Sequence, residues 1–251
     1  VSKQAPPAPG RQRLSASSIM LLGGLVLAVV IGLAVALTVF TSPGDSAAPA
    51  PGTGTAGLAA DEAPYLGAPV ADPATLVRPD SHRLGPPAGD RVQFVEFLDL
   101  ECEGCRAAFP AVERLRTEYA GRVDFVIRYF PIPSHRSAEA AAFAVEAAGR
   151  QGKLEPMYQK MYETQTEWGE QRTAQAPVFR GFAAELGLDL ARYDADIADP
   201  VLQQRVFADR DDGTRAGVKG TPTFFINGRP AENVSGYQAL KTLLDQALAA
   251  P

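Results

Sequence analysis

The chain has 251 residues, 24 basic and 29 acidic, for a formal net charge of −5 at neutral pH. Its composition is that of an ordinary globular protein, its length suits one large domain or two small ones, and it contains no internal repeat. The acidic balance argues against nucleic acid as a partner, which calls for a basic face.

Residues 1–18 carry Lys3, Arg11 and Arg13 and no acidic side chain. Residues 19–40 form an uncharged apolar run, IMLLGGLVLAVVIGLAVALTVF, long enough to cross a hydrocarbon core of about 30 Å as a helix. No acidic residue precedes Asp45, so the positive-inside rule predicts a cytoplasmic tail at 1–18, a transmembrane helix at 19–40 and an external remainder. A cleaved signal peptide is the competing reading, with small residues at Ser46-Ala47-Ala48 and Ala48-Pro49-Ala50. The run exceeds the roughly 7 to 15 residues of a usual signal core, which favours an uncleaved anchor. Either way the remainder enters a compartment where disulfides persist. Residues 41–64, almost wholly Ala, Pro, Gly, Ser and Thr, read as a tether too poor in large apolar groups to fold.

The folded body is expected over residues 65–251. A short strand is expected at 75–78, and a strong one at 91–100, RVQFVEFLDL, whose near-continuous β-branched and aromatic character suits a strand buried on both faces. Glu96 interrupts its apolar centre. Buried there, its carboxyl would have a raised pKa and could relay a proton; on an edge strand it would simply face solvent. Next come the only two cysteines, in Cys102-Glu103-Gly104-Cys105. Cys105, Ala108, Phe109, Val112, Leu115 and Tyr119 then recur at helical spacing, with Pro110 expected to kink the helix and Gly121 to stop it. A second strand is expected at 122–129, parallel to the first because the helix crosses between them. His135 lies where the chain leaves that strand, in the position of a polar cap. Residues 137–216 are Ala-rich and helix-periodic, with helices expected at 137–148, 153–165, 176–186 and 200–216. Trp168, Phe179, Phe182 and Leu186 read as packing within this insert. A strand at 223–226, a tight turn at Asn227-Gly228 and a helix at 237–249 close the pattern. The fold class is therefore α/β, a sheet interrupted by a helical insert at about 137–216.

The cysteine spacing carries the chemistry. A disulfide closing so short a loop contributes only about 2 kcal/mol by the chain-entropy formula, against about 3 for a fifteen-residue loop. It is a poor staple and a good switch. At a helix N-terminus, backbone N–H groups and the helix dipole stabilise a thiolate. Half of a zinc site is the alternative, but a structural zinc wants four ligands, and His82 and His135 lie far apart on opposite sides of the motif. No metal is therefore expected.

Three segments in order resemble the thioredoxin-fold, DsbA-like thiol–disulfide oxidoreductases, especially the membrane-anchored kind of Gram-positive bacteria. They are Phe97-Leu98-Asp99-Leu100-Glu101-Cys102-Glu103-Gly104-Cys105, Pro110 five residues on, and Gly217-Val218-Lys219-Gly220-Thr221-Pro222-Thr223-Phe224-Phe225-Ile226-Asn227-Gly228. The similarity spans about residues 76–248. It implies a thioredoxin-like fold, Cys102 as the exchanging and Cys105 as the resolving sulfur, and a cis bond at Thr221-Pro222. It also implies Thr221 and Pro222 as the substrate platform, Glu96 as the acid beneath the active site, and no cofactor beyond the disulfide itself. Many relatives carry Pro after the first cysteine and strong oxidants often add His before the second, whereas this chain has Glu103 and Gly104 as redox-tuning residues. With Glu101 and Glu103 flanking Cys102, a milder oxidant than the strongest of the family is expected. The leading expectation is a tethered dithiol oxidase acting on exported cysteine-containing proteins and recycled by a quinone-linked membrane partner. A thiol reductase or isomerase, for instance in cytochrome assembly, and a non-catalytic chaperone or metal carrier of the same fold are the alternatives.

Overall fold

A computed structural model describes residues 63–86 and 92–250. The expected tail and span, and nearly all of the tether, lie outside these residues. Among those described, no helix is long and apolar enough to cross a membrane.

The strands are β1 (Tyr65–Leu66), β2 (His82–Leu84), β3 (Gln93–Leu98), β4 (Asp124–Tyr129), β5 (Thr223–Ile226) and β6 (Arg229–Glu232), in the sheet order β1-β6-β5-β3-β4-β2. β3 and β4 are parallel and every other pairing is antiparallel. Between β3 and β4 runs α1 (Glu103–Glu118), which passes through Pro110 without a break, and Gly121 follows it at φ 71°. The helices between β4 and β5 are α2 (Ala138–Gly149), α3 (Leu154–Glu163), α4 (Gln165–Trp168), α5 (Ala176–Glu185), α6 (Leu190–Ala198) and α7 (Pro200–Arg215). α8 (Gly236–Ala249) follows β6. Asn227 and Gly228, at φ 48° and 79°, make the turn between β5 and β6, a left-handed pair that Asn-Gly adopts readily.

Two expectations need correction. No strand forms at 75–78. Pro73 instead starts a 3-10 turn, Pro73–Thr75, with the Asp72 carboxylate accepting the Ala74 N–H, and the strand comes later as β2 on β4. Helix α6 was not expected. Asp189 caps it by accepting the Arg192 N–H, and its buried Tyr193 ties it to the core.

The alternation of β3 decides what each side of the sheet sees. Phe94 and Leu98 join Phe125, Ile127, Phe224, both cysteines and the helical insert in one large core. Val95 and Phe97 join Leu76, Val126, Val218 and Phe225 in a smaller core on the opposite face. With period two, Glu96 falls on the side of the cysteines. α7 covers the other face and approaches closely at Gly213, where a Cβ would lie 2.8 Å from the rings of Phe97 and Phe130. Apolar contacts pack much of the insert: Trp168 is fully buried and stands edge-on to Phe179 at 4.8 Å.

Candidate active site

The turn from β3 to α1 carries the chemistry. Cys102 is the N-cap residue of α1, in extended conformation, and its side chain makes no capping bond. Its sulfur lies 3.3 Å from the Thr221 carbonyl, to which the thiol can donate. The Cys102 pKa is pulled down to about 5. The Cys105 side chain contributes most, burial opposes it, and the backbone N–H groups of Cys105 and Gly104 help. Cys102 is only 9 % exposed, so its sulfur is more enclosed than a position at the helix end implied. Cys105, one turn in and buried, is pushed well above the ordinary thiol range, chiefly by burial, then by its hydrogen bond to the Cys102 sulfur and by the charges of Glu96 and Cys102. Its sulfur receives the Asp99 N–H at 3.5 Å. Both cysteines are free. One thiol is thus poised as a thiolate and the other as a protonated thiol.

Glu96 sits mid-strand in β3 between β4 and β5, 2 % exposed, with Oε2 making no hydrogen bond. Burial first, then the charges of Glu113 and Cys102, push its pKa up to about 8. The Thr221-Pro222 peptide is cis, and the Thr221 hydroxyl is buried with no hydrogen-bond partner. Gly104 brings the two halves together: a Cβ there would lie 3.3 Å from Pro222 Cδ and 3.5 Å from Cys102 Sγ. On one side of this junction lies an apolar groove lined by Ala107, Ala108, Ala111, Phe224 and Leu240. On the other, Lys219, Gly220, Thr223 and Pro230 line a second, more polar one.

The two expected flanking charges behave differently. Glu103 is exposed in the first turn of α1. Glu101 is buried and turned away from solvent, accepting the Ser137 N–H at 2.5 Å and the Glu170 N–H at 3.1 Å. It is a tie between the active-site turn and the insert rather than a free charge beside Cys102. His135 is likewise no helix cap: its Nδ1 binds the Asp99 carboxylate at 2.8 Å, while Ser137 occupies the N-cap position of α2.

Residues missed from the sequence complete the frame. Gln165 donates to the carbonyls of Leu100 at 2.7 Å and Cys102 at 3.0 Å, and Tyr162 donates to the Asp99 carbonyl at 3.3 Å. Nothing in their local sequence marks them, since their partners lie more than sixty positions away. Among the described residues, no group of three or more His, Cys, Asp and Glu is arranged to hold a metal ion. His82 is paired instead with Glu146 at 2.5 Å.

A low-pKa thiol at the N-cap position, a buried thiol one turn on and a cis-proline beside them on a mixed sheet give the arrangement that dithiol exchange would use. A thioredoxin family model matches residues 78–246. The chain belongs to the thioredoxin family. Among solved structures, a thioredoxin-like oxidoreductase from Silicibacter pomeroyi is 28% identical, with a TM-score of 0.61, covering 72% of this chain and 100% of that one. BdbD from Bacillus subtilis shares the fold at 18% identity and a TM-score of 0.62, covering 75% of this chain and 100% of its own. Wolbachia pipientis α-DsbA1 does so at 18% identity and 0.58, covering 69% and 93%. Among curated proteins, a Na(+)/H(+) antiporter NhaA 1 of Salinispora arenicola is 36% identical over 174 residues, 69% of this chain and 26% of the antiporter. An NhaA antiporter of Herminiimonas arsenicoxydans is 32% identical over 61% of this chain and 23% of its own. The chain thus spans about a quarter of the length of these curated relatives.

Proposed function

We propose that the protein is an extracytoplasmic dithiol oxidase, anchored by residues 19–40, that transfers its Cys102–Cys105 disulfide to exported cysteine-containing proteins. The observation that carries the direction is the split between the cysteines: a Cys102 pKa near 5 favours the reduced enzyme, and hence oxidation of the substrate. In the reaction a substrate thiolate attacks Cys102 Sγ. The Cys102–Cys105 bond breaks and its electron pair leaves on Cys105, which takes a proton from Glu96. A second substrate thiolate then attacks the substrate sulfur of the mixed disulfide, and Cys102 departs as a thiolate. The substrate loses two electrons, the enzyme gains them, and a quinone-linked membrane protein removes them to restore the disulfide. No other cofactor is required. Thr221 and Pro222 receive the substrate chain by strand addition, with the two grooves beside Gly104 taking its side chains. The occurrence of a similar sequence within membrane antiporter chains supports a membrane-side location.

A Cys102 pKa near 5 falls between the values of about 7 and 3.5 for thioredoxin and DsbA. A glutathione titration is accordingly expected to give a potential between about −270 and −120 mV, the values of those same two proteins. The decisive test is Cys105→Ser. It is expected to accumulate mixed disulfides through Cys102 with exported proteins in cells, while the wild type oxidises a reduced model substrate. Failure to oxidise that substrate, together with reduction of insulin disulfides, would overturn the oxidase reading in favour of a reductase.

A further inference from the structure

The ladder between β3 and β5 stops one rung short of the cysteines. The Asn227 N–H donates to the Gln93 carbonyl at 2.9 Å, and the registered pairs run from Phe94 opposite Ile226 to Phe97 opposite Thr223. Hydrogen-bonded rungs alternate in an antiparallel pair. Counting in twos from Gln93, Phe97 and Thr223 form such a rung, and Asp99 opposite Thr221 would form the next, each N–H donating to the other's carbonyl. The pairing ends before it. Sulfur takes its place: the Asp99 N–H donates to Cys105 Sγ at 3.5 Å, the Thr221 carbonyl lies 3.3 Å from Cys102 Sγ, and the Asp99 carbonyl accepts the Cys102 N–H at 3.2 Å. The direction of the Asp99 N–H is fixed from behind. Its peptide is shared with the Leu98 carbonyl, which accepts the Phe130 N–H at 2.7 Å, and in a trans peptide the two groups point opposite ways, so the bond on the β4 side turns the N–H towards Cys105. The buried Asp99 carboxylate anchors the residue further, accepting the N–H groups of Glu101 and Ile132 and meeting Nδ1 of His135, each at 2.8 Å. Cys105 lies in apolar core, where an anion is poorly solvated; burial drives its thiol up, and the Asp99 N–H opposes this.

We propose that the Asp99 N–H is a catalytic group of the exchange, the fixed donor that receives the charge on Cys105 Sγ when Cys105 is displaced from the disulfide. The proposal rests on the exchange reading and deepens it. As an incoming thiolate attacks Cys102 Sγ, the sulfur–sulfur bond breaks and its electron pair passes to Cys105 Sγ. The N–H stabilises that charge without giving up its proton, until Glu96 supplies one. A donor already aimed where charge develops needs no reorganisation at the moment of reaction. A better-stabilised leaving thiolate departs faster.

The test uses dithiothreitol, a small dithiol that cleaves the disulfide whichever way the protein works in cells, so it stands apart from the direction of exchange. In the full chain the Leu98–Asp99 amide is replaced by an ester, with the α-hydroxy counterpart of aspartate at position 99. This removes the N–H and keeps the carboxylate with its three partners. Cleavage of the Cys102–Cys105 disulfide by dithiothreitol is expected to slow several-fold. In a Cys102→Ser background, where Cys105 is the one remaining thiol, the ester is expected to raise the proton affinity of Cys105 about tenfold, one pKa unit, read by ultraviolet thiolate absorbance. If the ester chain fails to fold, Cys102→Ser with its natural backbone suffices. Its Asp99 amide proton is expected to move downfield in NMR as pH rises, with the same midpoint as the Cys105 absorbance. An amide proton that ignores that midpoint, or a folded ester chain with unchanged disulfide cleavage or unchanged Cys105 ionisation, overturns the proposal. Loss of protein-substrate oxidation with this coupling intact would overturn only the oxidase reading.

Discussion

Two identical side chains three positions apart are driven in opposite directions by where they stand on α1. Cys102 at the N-cap meets first the Cys105 thiol and then the backbone N–H groups of Cys105 and Gly104, which favour its anion, whereas Cys105 meets apolar core, the Cys102 sulfur and the charge of Glu96. Glu96 follows the same logic. With a pKa near 8 it carries its proton at neutral pH and loses it above, so its help to the departing Cys105 is complete below about 8 and fades as pH rises through that value. Glu96→Gln cannot transfer a proton. It is expected to slow substrate oxidation on the order of a hundredfold at neutral pH. The ratio of wild-type to variant rates, measured by stopped flow, is expected to fall with pH around 8; a ratio independent of pH would remove Glu96 from the relay. The position of Glu96 was legible as a charge inside an apolar run. The fate of Glu101 was not, because adjacency to Cys102 says nothing of side-chain direction, and the backbone of Ser137 and Glu170 decides it.

At the scale of elements, the active-site turn is not free-standing but bound to the insert. Gln165 of α4 closes two buried carbonyls of that turn, and Tyr162 of α3 closes a third. Gln165→Leu strands the buried Leu100 carbonyl, while the Cys102 carbonyl keeps the Arg106 N–H at 3.1 Å. The cost is expected to be about 2 kcal/mol, since one orphaned buried group costs about 1 to 3, with urea denaturation as the measure. A loss below about 1 kcal/mol would mean that water replaces the amide. Long periodic elements such as α1, β3 and α2 were legible because burial imprints a pattern over several turns or pleats. β2 and α6 were not. β2 is three residues long and exists through its pairing with β4, and Pro73 turns the preceding chain away from an extended path.

Across the whole molecule, the sheet separates two kinds of interior. The sheet face towards the cysteines packs a mainly apolar core around the Glu96 carboxyl, whereas the face under α7 buries Arg128 completely. Arg128 binds Asp209 at 2.7 Å and Asp212 at 2.5 Å, and donates to the carbonyls of Thr75 at 3.2 Å and Leu76 at 2.5 Å. Arg78 reaches the same two aspartates, at 2.7 Å each. One residue thus joins β4, α7 and the segment before β2. Arg128→Met is expected to cost about 3 to 5 kcal/mol, because it strands buried carboxylates rather than merely losing a bond. Chemical denaturation gives the value, and a loss under about 1 kcal/mol would show that Arg78, Arg205 and Arg215 satisfy the aspartates without it. By itself the sequence carried the order of the main elements and the paired cysteines, because these are written in local spacing and periodicity, while its resemblance to a known family implied the proline that faces them and the acid in the central strand. Only the tertiary structure decided that Glu101 is a tie, that His135 belongs to Asp99, and that Gln165 and Tyr162 hold the turn. Those contacts join residues distant in the chain, and side-chain direction is settled by packing rather than by position in the sequence.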